Sequence, residues 1–359
     1  MSKHKYLRDY LSSLPDFVFD FVRVYYNGES INTQLAYCID IKIFFNYLLS
    51  ISKNPNIDNI EDFTPSLLNE ITLEDFSWYQ VYLEKYDLIT HDVNGNAIKR
   101  TITNSPKGIA RKLSTLRSLF RYLYKNDKIQ ANITEKLDLP NVKHKIKRPL
   151  SSRDTINLID VLYNGEKYLK DRNQALYISR KQRDIAMFIT LLGTGIRISE
   201  LINLNISDID FEDQNFIVTR KGGNQEVVFM PIQVENELFT YINQRKWILA
   251  ADNNSKDALF LSNRKTRITV SAVEKQFKQY CILAGIDNPD KMTIHALRRT
   301  FACNMLEDGI DIKMVADLLG HANIEVTHRF YAQYTAKAKK SVMRNFTVLK
   351  NDLNNKNDM

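Results

Sequence analysis

Cysteine is scarce in this chain of 359 residues: Cys38, Cys281 and Cys303 are the whole set. They are odd in number and far apart, so they spell neither a disulfide framework nor a metal-ligand cluster. Such usage fits a reducing compartment, and the cytoplasm is the expected location. Long apolar runs are also lacking. The best, around Ile185–Leu192, follows Arg183 and Asp184 and falls short of the roughly 18 residues a membrane span needs. No membrane partner is expected. Met1–Tyr10 is charged and precedes no long apolar block, so no signal peptide is expected. Glycine and proline, at 11 and 8, are too few for a collagen-like or low-complexity chain.

What is present reads as globular: 44% apolar and 26% charged residues, enough for real cores. At roughly 150 residues per domain the length suggests about two domains. The charge is uneven. There are 50 Lys and Arg against 42 Asp and Glu, and 14 of those cations fall between Lys99 and Arg148, beside only Asp127, Glu135 and Asp138. That stretch alone carries more positive charge than the whole chain nets, so the remainder is slightly acidic. A local basic block in a folded chain points to a polyanion, with nucleic acid the first candidate, although a solvated helix face would look the same.

The pattern inside the block is helical. Ile109, Leu113, Leu116, Phe120 and Leu123 form one apolar face. Arg117, Arg121 and Lys125 repeat every fourth residue on another. After Asp127 the periodicity decays. Pro140 and Pro149 bracket the run Lys143-His144-Lys145-Ile146-Lys147-Arg148, which reads as an extended basic linker. The expected organisation is a helical domain over 1–138, a basic linker over 139–150, a second domain over 151–335, and a tail helix over 336–359.

Before the linker, Ser30 or Asn32 is placed to cap a helix running to about Ser52, with Leu35, Ile39, Phe44, Tyr47 and Leu48 as core candidates. Another helix is predicted over Leu73–Tyr86. His91–Gly108, with Asn94-Gly95-Asn96 and Pro106, reads as an exposed loop or short hairpin. After the linker, Ser151 or Ser152 caps a helix near Asp154. A polar stretch, Asn164–Arg180, separates it from an apolar helix over Arg183–Gly193. Two β-rich runs, Asn215–Lys221 and Gln225–Ile232, flank Gly222-Gly223-Asn224 as a hairpin. Helices follow over Thr269–Ala284, His295–Asp308, Ile312–Leu319, Glu325–Tyr334 and near Ala336–Leu353. The fold class expected is mainly α with a small β-hairpin or sheet (α+β).

Four clusters have chemical interest. In Gly193-Thr194-Gly195-Ile196-Arg197-Ile198-Ser199-Glu200 a glycine turn opens a helix, and Arg197 and Glu200 share a face three residues apart. Lys221 sits at the hairpin tip beside two glycines. His295 and Arg298 share a face in His295-Ala296-Leu297-Arg298-Arg299-Thr300, a pairing suited to an anion such as phosphate. Leu319-Gly320-His321 follows, then Thr327 and Tyr331, with Gly320 as a helix stop. Singly, each also fits a structural role: an ion pair, a solvated lysine, a capping histidine. Together, two Arg, a Lys and two His would make a cationic pocket. No carboxylate pair for a catalytic metal, no Walker loop and no zinc spacing accompanies them. Fixed donors of this kind can stabilise a pentavalent phosphorus transition state, with a tyrosine as nucleophile on a phosphodiester.

These residues closely resemble the tyrosine recombinase (phage integrase) family. The matching pieces are Gly-Thr-Gly-Ile-Arg197-Ile-Ser-Glu200-Leu, Lys221-Gly-Gly, His295-Ala-Leu-Arg298-Arg-Thr-Phe-Ala, Leu-Gly-His321 and Tyr331. Order and spacing fit over residues 183–334. Ser30-Ile-Asn32-Thr33 with Tyr37, and Arg111-Lys112-Leu113-Ser-Thr-Leu116-Arg117, look like the family's SAM-like core-binding domain. The resemblance implies that Tyr331 forms a 3′-phosphotyrosyl bond and frees a 5′-hydroxyl. It implies that Lys221 protonates that leaving oxygen and that Arg197 and Arg298 clamp the non-bridging oxygens. His295 would handle a proton, His321 would donate a further hydrogen bond, and Glu200 would support the site. Neither ATP nor metal is implied, so no cofactor is expected. Arg299 stands where the family often has His. Tyr331 lies ten residues after His321, and Tyr334 is the fallback nucleophile.

The resemblance further implies a duplex DNA partner with inverted-repeat arms, closed between the two domains. Arg111, Lys112, Arg117, Arg121, Lys143, Lys145, Lys147 and Arg148 are the candidate DNA contacts. A tetramer on two DNA sites would be built by exchange of the tail, where Val342, Phe346, Leu349 and Leu353 make an apolar stripe that could equally pack on its own domain. The free protein would be a monomer or weak dimer. Extra residues near His91–Ser105 and Asn164–Arg180 look similar to single-protein Xer recombinases of XerS type, which resolve chromosome dimers. Mobile-element integrases and invertases share the motifs. A catalytically silent DNA-binding protein and a type IB topoisomerase are the alternatives.

Overall fold

Ser30, Thr72, Ser105, Ser151 and Thr269 each stand just ahead of a helix. Each accepts a first-turn backbone N–H with its side-chain oxygen. The helices they start carry the fold of a computed structural model that describes residues 3–24, 30–51, 57–91, 97–142, 148–220 and 222–320. The chain divides into two compact units, Met1–Lys145 and Ile146–Met359. The fold class is the expected one: mainly helical, with a two-stranded and a three-stranded sheet among the described residues.

The first unit holds α1 (Lys3–Leu11), α2 (Asp16–Val24), α3 (Ile31–Ser50), α4 (Leu73–Glu84), the strands β1 (Lys85–His91) and β2 (Ala97–Thr103), and α5 (Pro106–Lys125). Its core is aromatic. Phe44 on α3 lies 5.4 Å from Phe76, 5.0 Å from Tyr79 and 6.4 Å from Phe120, ring centre to ring centre. Contacts of this kind add to area burial and tie α3, α4 and α5 together. The five apolar residues read along α5 are all buried. Of the α3 candidates, Phe44, Tyr47 and Leu48 are buried, while Leu35 and Ile39 are half-buried.

One expectation is corrected here. The helix predicted to reach Tyr86 stops at Glu84, because Lys85 and Tyr86 turn into β1 and pair with Thr103 and Ile102. Of the two readings of His91–Gly108, loop or short hairpin, the hairpin holds: its return strand pairs in register from Lys85↔Thr103 to His91↔Ala97, so the hairpin begins earlier, at Lys85.

The second unit holds α6 (Ser152–Asn164), α7 (Asp171–Thr194), α8 (Ile198–Asn203), β3 (Ile209–Asp210), β4 (Asn215–Thr219), β5 (Gln225–Phe229), α9 (Ile232–Arg245), α10 (Val270–Leu283), α11 (His295–Glu307) and α12 (Ile312–Leu318). Ile185 through Ile189 are buried without interruption, so α7 is apolar all round at that level and forms the centre of the unit. It packs against α9 and α11. The polar stretch expected to separate two helices is corrected: its second half, from Asp171, is the exposed front of α7 itself. Sequence reading also passed over α9, whose Val234, Leu238 and Tyr241 are buried.

The sheet runs β3-β4-β5, antiparallel throughout. Its turn closes where Arg220 N–H donates to Asn224 O at 2.7 Å and Gly223 N–H to Arg220 O at 3.1 Å. The three cysteines are buried and form no disulfide, and burial pushes the Cys38 and Cys281 thiols up to about 12. No described helix is long and apolar enough to cross a membrane.

Candidate active site

The long helix α7 ends at Gly195, which adopts a left-handed conformation with φ of 64°. A side chain there would also collide with Phe301 of α11, since a Cβ would lie 2.4 Å from Phe301 Cδ1. Glycine is required on both counts. The sharp stop delivers Arg197 to the position just before α8, with Glu200 on its first turn.

Glu200 is buried and fully engaged. One oxygen accepts from the Arg197 backbone N–H at 2.7 Å and from Arg220 Nη1 at 2.8 Å; the other accepts from Arg197 Nη1 at 2.8 Å. Burial alone would raise this carboxyl. The donors from Arg197 and Arg220 outweigh it and hold Glu200 below its ordinary value. Arg197 also donates from Nη2 to Gly320 O at 3.2 Å, while about a third of its side chain stays open to solvent.

Arg298, on α11, is buried. Its Nη1 donates to Gly195 O at 2.6 Å and its Nη2 to Leu319 O. The carbonyls at the ends of α7 and α12 therefore hold both arginines. Rigid carbonyl tethers fix a guanidinium's direction without neutralising its charge, which is what an anion clamp requires. His295 opens α11, one turn before Arg298, and is exposed.

Arg220 was not singled out from the sequence, yet it belongs to this cluster. It is nearly buried, spans Glu200 and Glu226, and donates to Glu226 from Nε at 2.9 Å and Nη2 at 2.7 Å. Burial would lower its affinity for a proton, and the two carboxylates more than reverse that. A signal for it existed in the hairpin pattern. The register Val218↔Glu226 puts Glu226 diagonal to Arg220, two residues along the hairpin on the same face, within reach of a long side chain.

Lys221, His321, Tyr331 and Tyr334 lie outside the described residues, as do Lys143, Lys145, Lys147 and the apolar stripe of the tail. The remaining cations divide. Lys112 is buried and donates to Asn104 Oδ1 at 3.0 Å, so its expected DNA contact is corrected: it serves its own unit. Arg111 grips the buried Asp40, and Arg117 donates to the carbonyls of Thr134 and Leu137. Those nitrogens answer buried acceptors of the fold. Arg121 and Arg148 are exposed.

A cavity of about 670 Å³ lies elsewhere in the second unit, lined by Arg180, Arg183, Tyr241, Trp247 and Leu249. None of Arg197, Glu200, Arg220 or Arg298 lines it.

An α+β scaffold that tethers two arginines through main-chain carbonyls presents fixed donors to an anion. Residues 166–338 match the model of the phage integrase family. Tyrosine recombinase XerD of Yersinia pestis is 32% identical over 219 residues, covering 61% of this chain and 68% of that protein. Tyrosine recombinase XerS of Streptococcus agalactiae serotype III (strain NEM316) is 28% identical over 351 residues, covering 90% of this chain and 95% of that protein. Among solved structures, the Tn1549 transposon integrase in complex with a circular intermediate DNA matches with a TM-score of 0.62 at 19% identity. That match covers 92% of this chain and 98% of that one, and it bears on the fold alone. The chain belongs to the phage integrase family: it is a tyrosine recombinase, and its reaction is site-specific recombination.

Proposed function

We propose that this enzyme recombines paired duplex sites through a 3′-phosphotyrosyl intermediate, with Tyr331 as nucleophile. The Tyr331 oxygen attacks the scissile phosphorus, the bond to the 5′-oxygen breaks, and Lys221 gives that oxygen its proton. His295 takes up the tyrosine's proton. Arg197, Arg298 and His321 meet the charge on the non-bridging oxygens, and Glu200 holds Arg197 in place. A 5′-hydroxyl from the partner strand then attacks the phosphotyrosine and releases the enzyme. The bond energy is kept in the covalent link, so the two steps balance without a nucleotide.

The single observation that supports this reading is the tethering of Arg197 and Arg298 to three main-chain carbonyls, Gly195, Leu319 and Gly320. Fixed guanidinium donors of this sort supply transition-state stabilisation without reorganisation.

In this reading the first unit is the core-binding domain, and Arg121, Lys143, Lys145, Lys147 and Arg148 contact DNA phosphates. The arms are inverted repeats, the active assembly is a tetramer on two sites, and the tail exchanges between subunits in the cytoplasm. Likeness to XerS over nine-tenths of the chain supports chromosome-dimer resolution ahead of mobile-element integration.

Covalent capture tests it. The protein is incubated with fragmented DNA of its source and denatured, and protein-linked ends are sequenced, with Tyr331→Phe as control. The expected result is one recurrent inverted-repeat site, lost in the control. Adducts that persist in Tyr331→Phe would move the nucleophile to Tyr334. Relaxation of any plasmid regardless of sequence would point to topoisomerase action.

A further inference from the structure

Arg220 connects Glu200, Glu226 and Gly320. It is the last residue before the hairpin turn, where its own N–H and C=O close the loop to Asn224 and Gly223. Its side chain is 8% exposed, and its guanidinium is bonded along its whole width, to Glu200 at one end and Glu226 along the other edge. It also packs directly on Gly320. A Cβ on Gly320 would lie 2.6 Å from Arg220 Cζ, so only glycine fits against it. The carbonyl of that same glycine receives Arg197 Nη2.

We propose that Arg220 is a positioning residue for DNA cleavage, holding Glu200 and Gly320 so that the Arg197 guanidinium presents its charge to the scissile phosphate. The inference rests on the reading of Arg197 as a phosphate clamp.

Charge is shared across the cluster. Glu200 is one buried carboxylate serving two arginines. With Arg220 on Oε2, only Oε1 is left for the Arg197 side chain, which also keeps its bond to Gly320. A guanidinium carries five N–H donors, and these two bonds leave the others for an incoming anion. Without Arg220, both Glu200 oxygens would compete for Arg197, and its charge would be spent inside the protein. The face of Gly320 would also lose its support, and with it the second tether. Glu226, about two-fifths exposed, pairs with the other edge of Arg220, so the two arginines and two carboxylates balance and what Arg220 contributes is the direction of the Arg197 donors that remain open to the phosphate.

The test uses the full chain and the duplex recovered by covalent capture, nicked so that the adduct accumulates. Arg220→Gln, Arg220→Lys and Glu226→Gln are compared with the unsubstituted chain for DNA affinity, melting temperature and single-turnover adduct formation at saturating protein. Arg220→Gln is expected to bind within about 3-fold and to slow adduct formation roughly 10- to 100-fold, since a misdirected guanidinium loses charge stabilisation in the transition state. Arg220→Lys, which keeps the charge but not the width of the fork, is expected to recover part of the rate. A second substrate carries a neutral methylphosphonate at the scissile position. Its reaction has less charge to stabilise, so the Arg220→Gln deficit is expected to shrink there.

Adduct formation at the unsubstituted rate in Arg220→Gln overturns the proposal. So does a deficit equally large on the neutral substrate, or one matched by parallel losses of affinity and melting temperature. Should Arg220→Gln fail to fold, Arg220→Lys carries the same comparisons. Absence of an adduct from the unsubstituted chain overturns the underlying reading, and this inference with it.

Discussion

Arg111 on α5 grips Asp40 on α3 with both outer guanidinium nitrogens, at 2.6 and 2.7 Å, across 71 residues of chain. The two ends of the pair are unlike: half of the Arg111 side chain is exposed, whereas Asp40 is fully buried. Thr115 adds a third donor at 3.0 Å. Burial still pushes the Asp40 carboxyl above its ordinary value, because desolvation outweighs the pull of Arg111. Removing either partner should therefore give unequal results. Arg111→Ala strands a buried charge and is expected to cost about 3 kcal/mol at pH 7. Asp40→Asn leaves a solvated arginine and is expected to cost about 1 kcal/mol. In Arg111→Ala the folded state binds a proton at Asp40 more readily than the unfolded state, so its stability should recover as pH falls from 7 to 5. Urea denaturation at both pH values checks this, and equal costs for the two variants would refute it.

Arg117 and Arg121 were read from the sequence as one basic ridge, and the structure separates them. Arg117 supports the carbonyls of Thr134 and Leu137, in the segment after α5, and Arg121 stands in solvent. Arg117→Ala is expected to lose about 1–2 kcal/mol of stability, the cost of leaving part-buried acceptors unpaired. Arg121→Ala is expected to leave the melting temperature unchanged. As a proposed phosphate contact, its loss should lower the slope of log affinity against log salt by about one. The pair of titrations would contradict this assignment if Arg117→Ala alone changed the slope.

The legible parts of this chain were those with strong local signals. Caps such as Ser30 and Ser151, the apolar face of α5 and the glycine turn after β4 placed their elements closely. The fold class followed from them. Two elements were lost where a signal was contradicted or thin. The front of α7 is polar because it is exposed, so periodicity hid its continuity with the buried half. Helix α9 buries only a narrow stripe and follows directly on a strand. Arg197, Glu200 and Arg298 stood in recognisable motifs. Arg220 did not, because its function depends on partners 20 residues back and six residues on that only the hairpin and α8 bring together. For the same reason the sequence could not tell Lys112, turned inward to Asn104, from a cation facing solvent.

Glu200 offers a pH signature. Its carboxyl is held below the ordinary 4.5 in the folded chain because the donors of Arg197 and Arg220 outweigh its burial. The folded state therefore favours the ionised form. That stabilisation is complete above about 4.5 and is lost as pH falls through the folded-state value. Glu200→Gln lacks this titration and is expected to be about 2 kcal/mol less stable at pH 7. The gap should hold between pH 5 and 7 and close progressively below 4.5. Thermal unfolding across that range decides it; a gap that widens in acid would mean the carboxyl is not held low.

Gly195 tests whether the arginines depend on the backbone that tethers them. Alanine there faces two penalties: a left-handed φ of 64°, and a Cβ 2.4 Å from Phe301 Cδ1. The first costs about 1 kcal/mol, and the forced repacking of Phe301 adds about 1–3 kcal/mol. Relief requires the end of α7 to move away from α11, and the Gly195 carbonyl moves with it. Arg298 would then lose its 2.6 Å partner while keeping Leu319. Gly195→Ala is expected to fold at reduced temperature with a melting point lower by several degrees. Below that transition its adduct formation on the captured duplex should be slower by roughly 10-fold or more, since a misdirected clamp loses charge stabilisation in the transition state. A double variant with Phe301→Leu makes room for the Cβ and should restore much of the stability. Because the left-handed strain remains, it should restore the rate only if the carbonyl returns to Arg298. Full recovery of both would show that the clash alone displaced the tether. Recovery of stability without rate would show that Arg298 needs the left-handed turn itself.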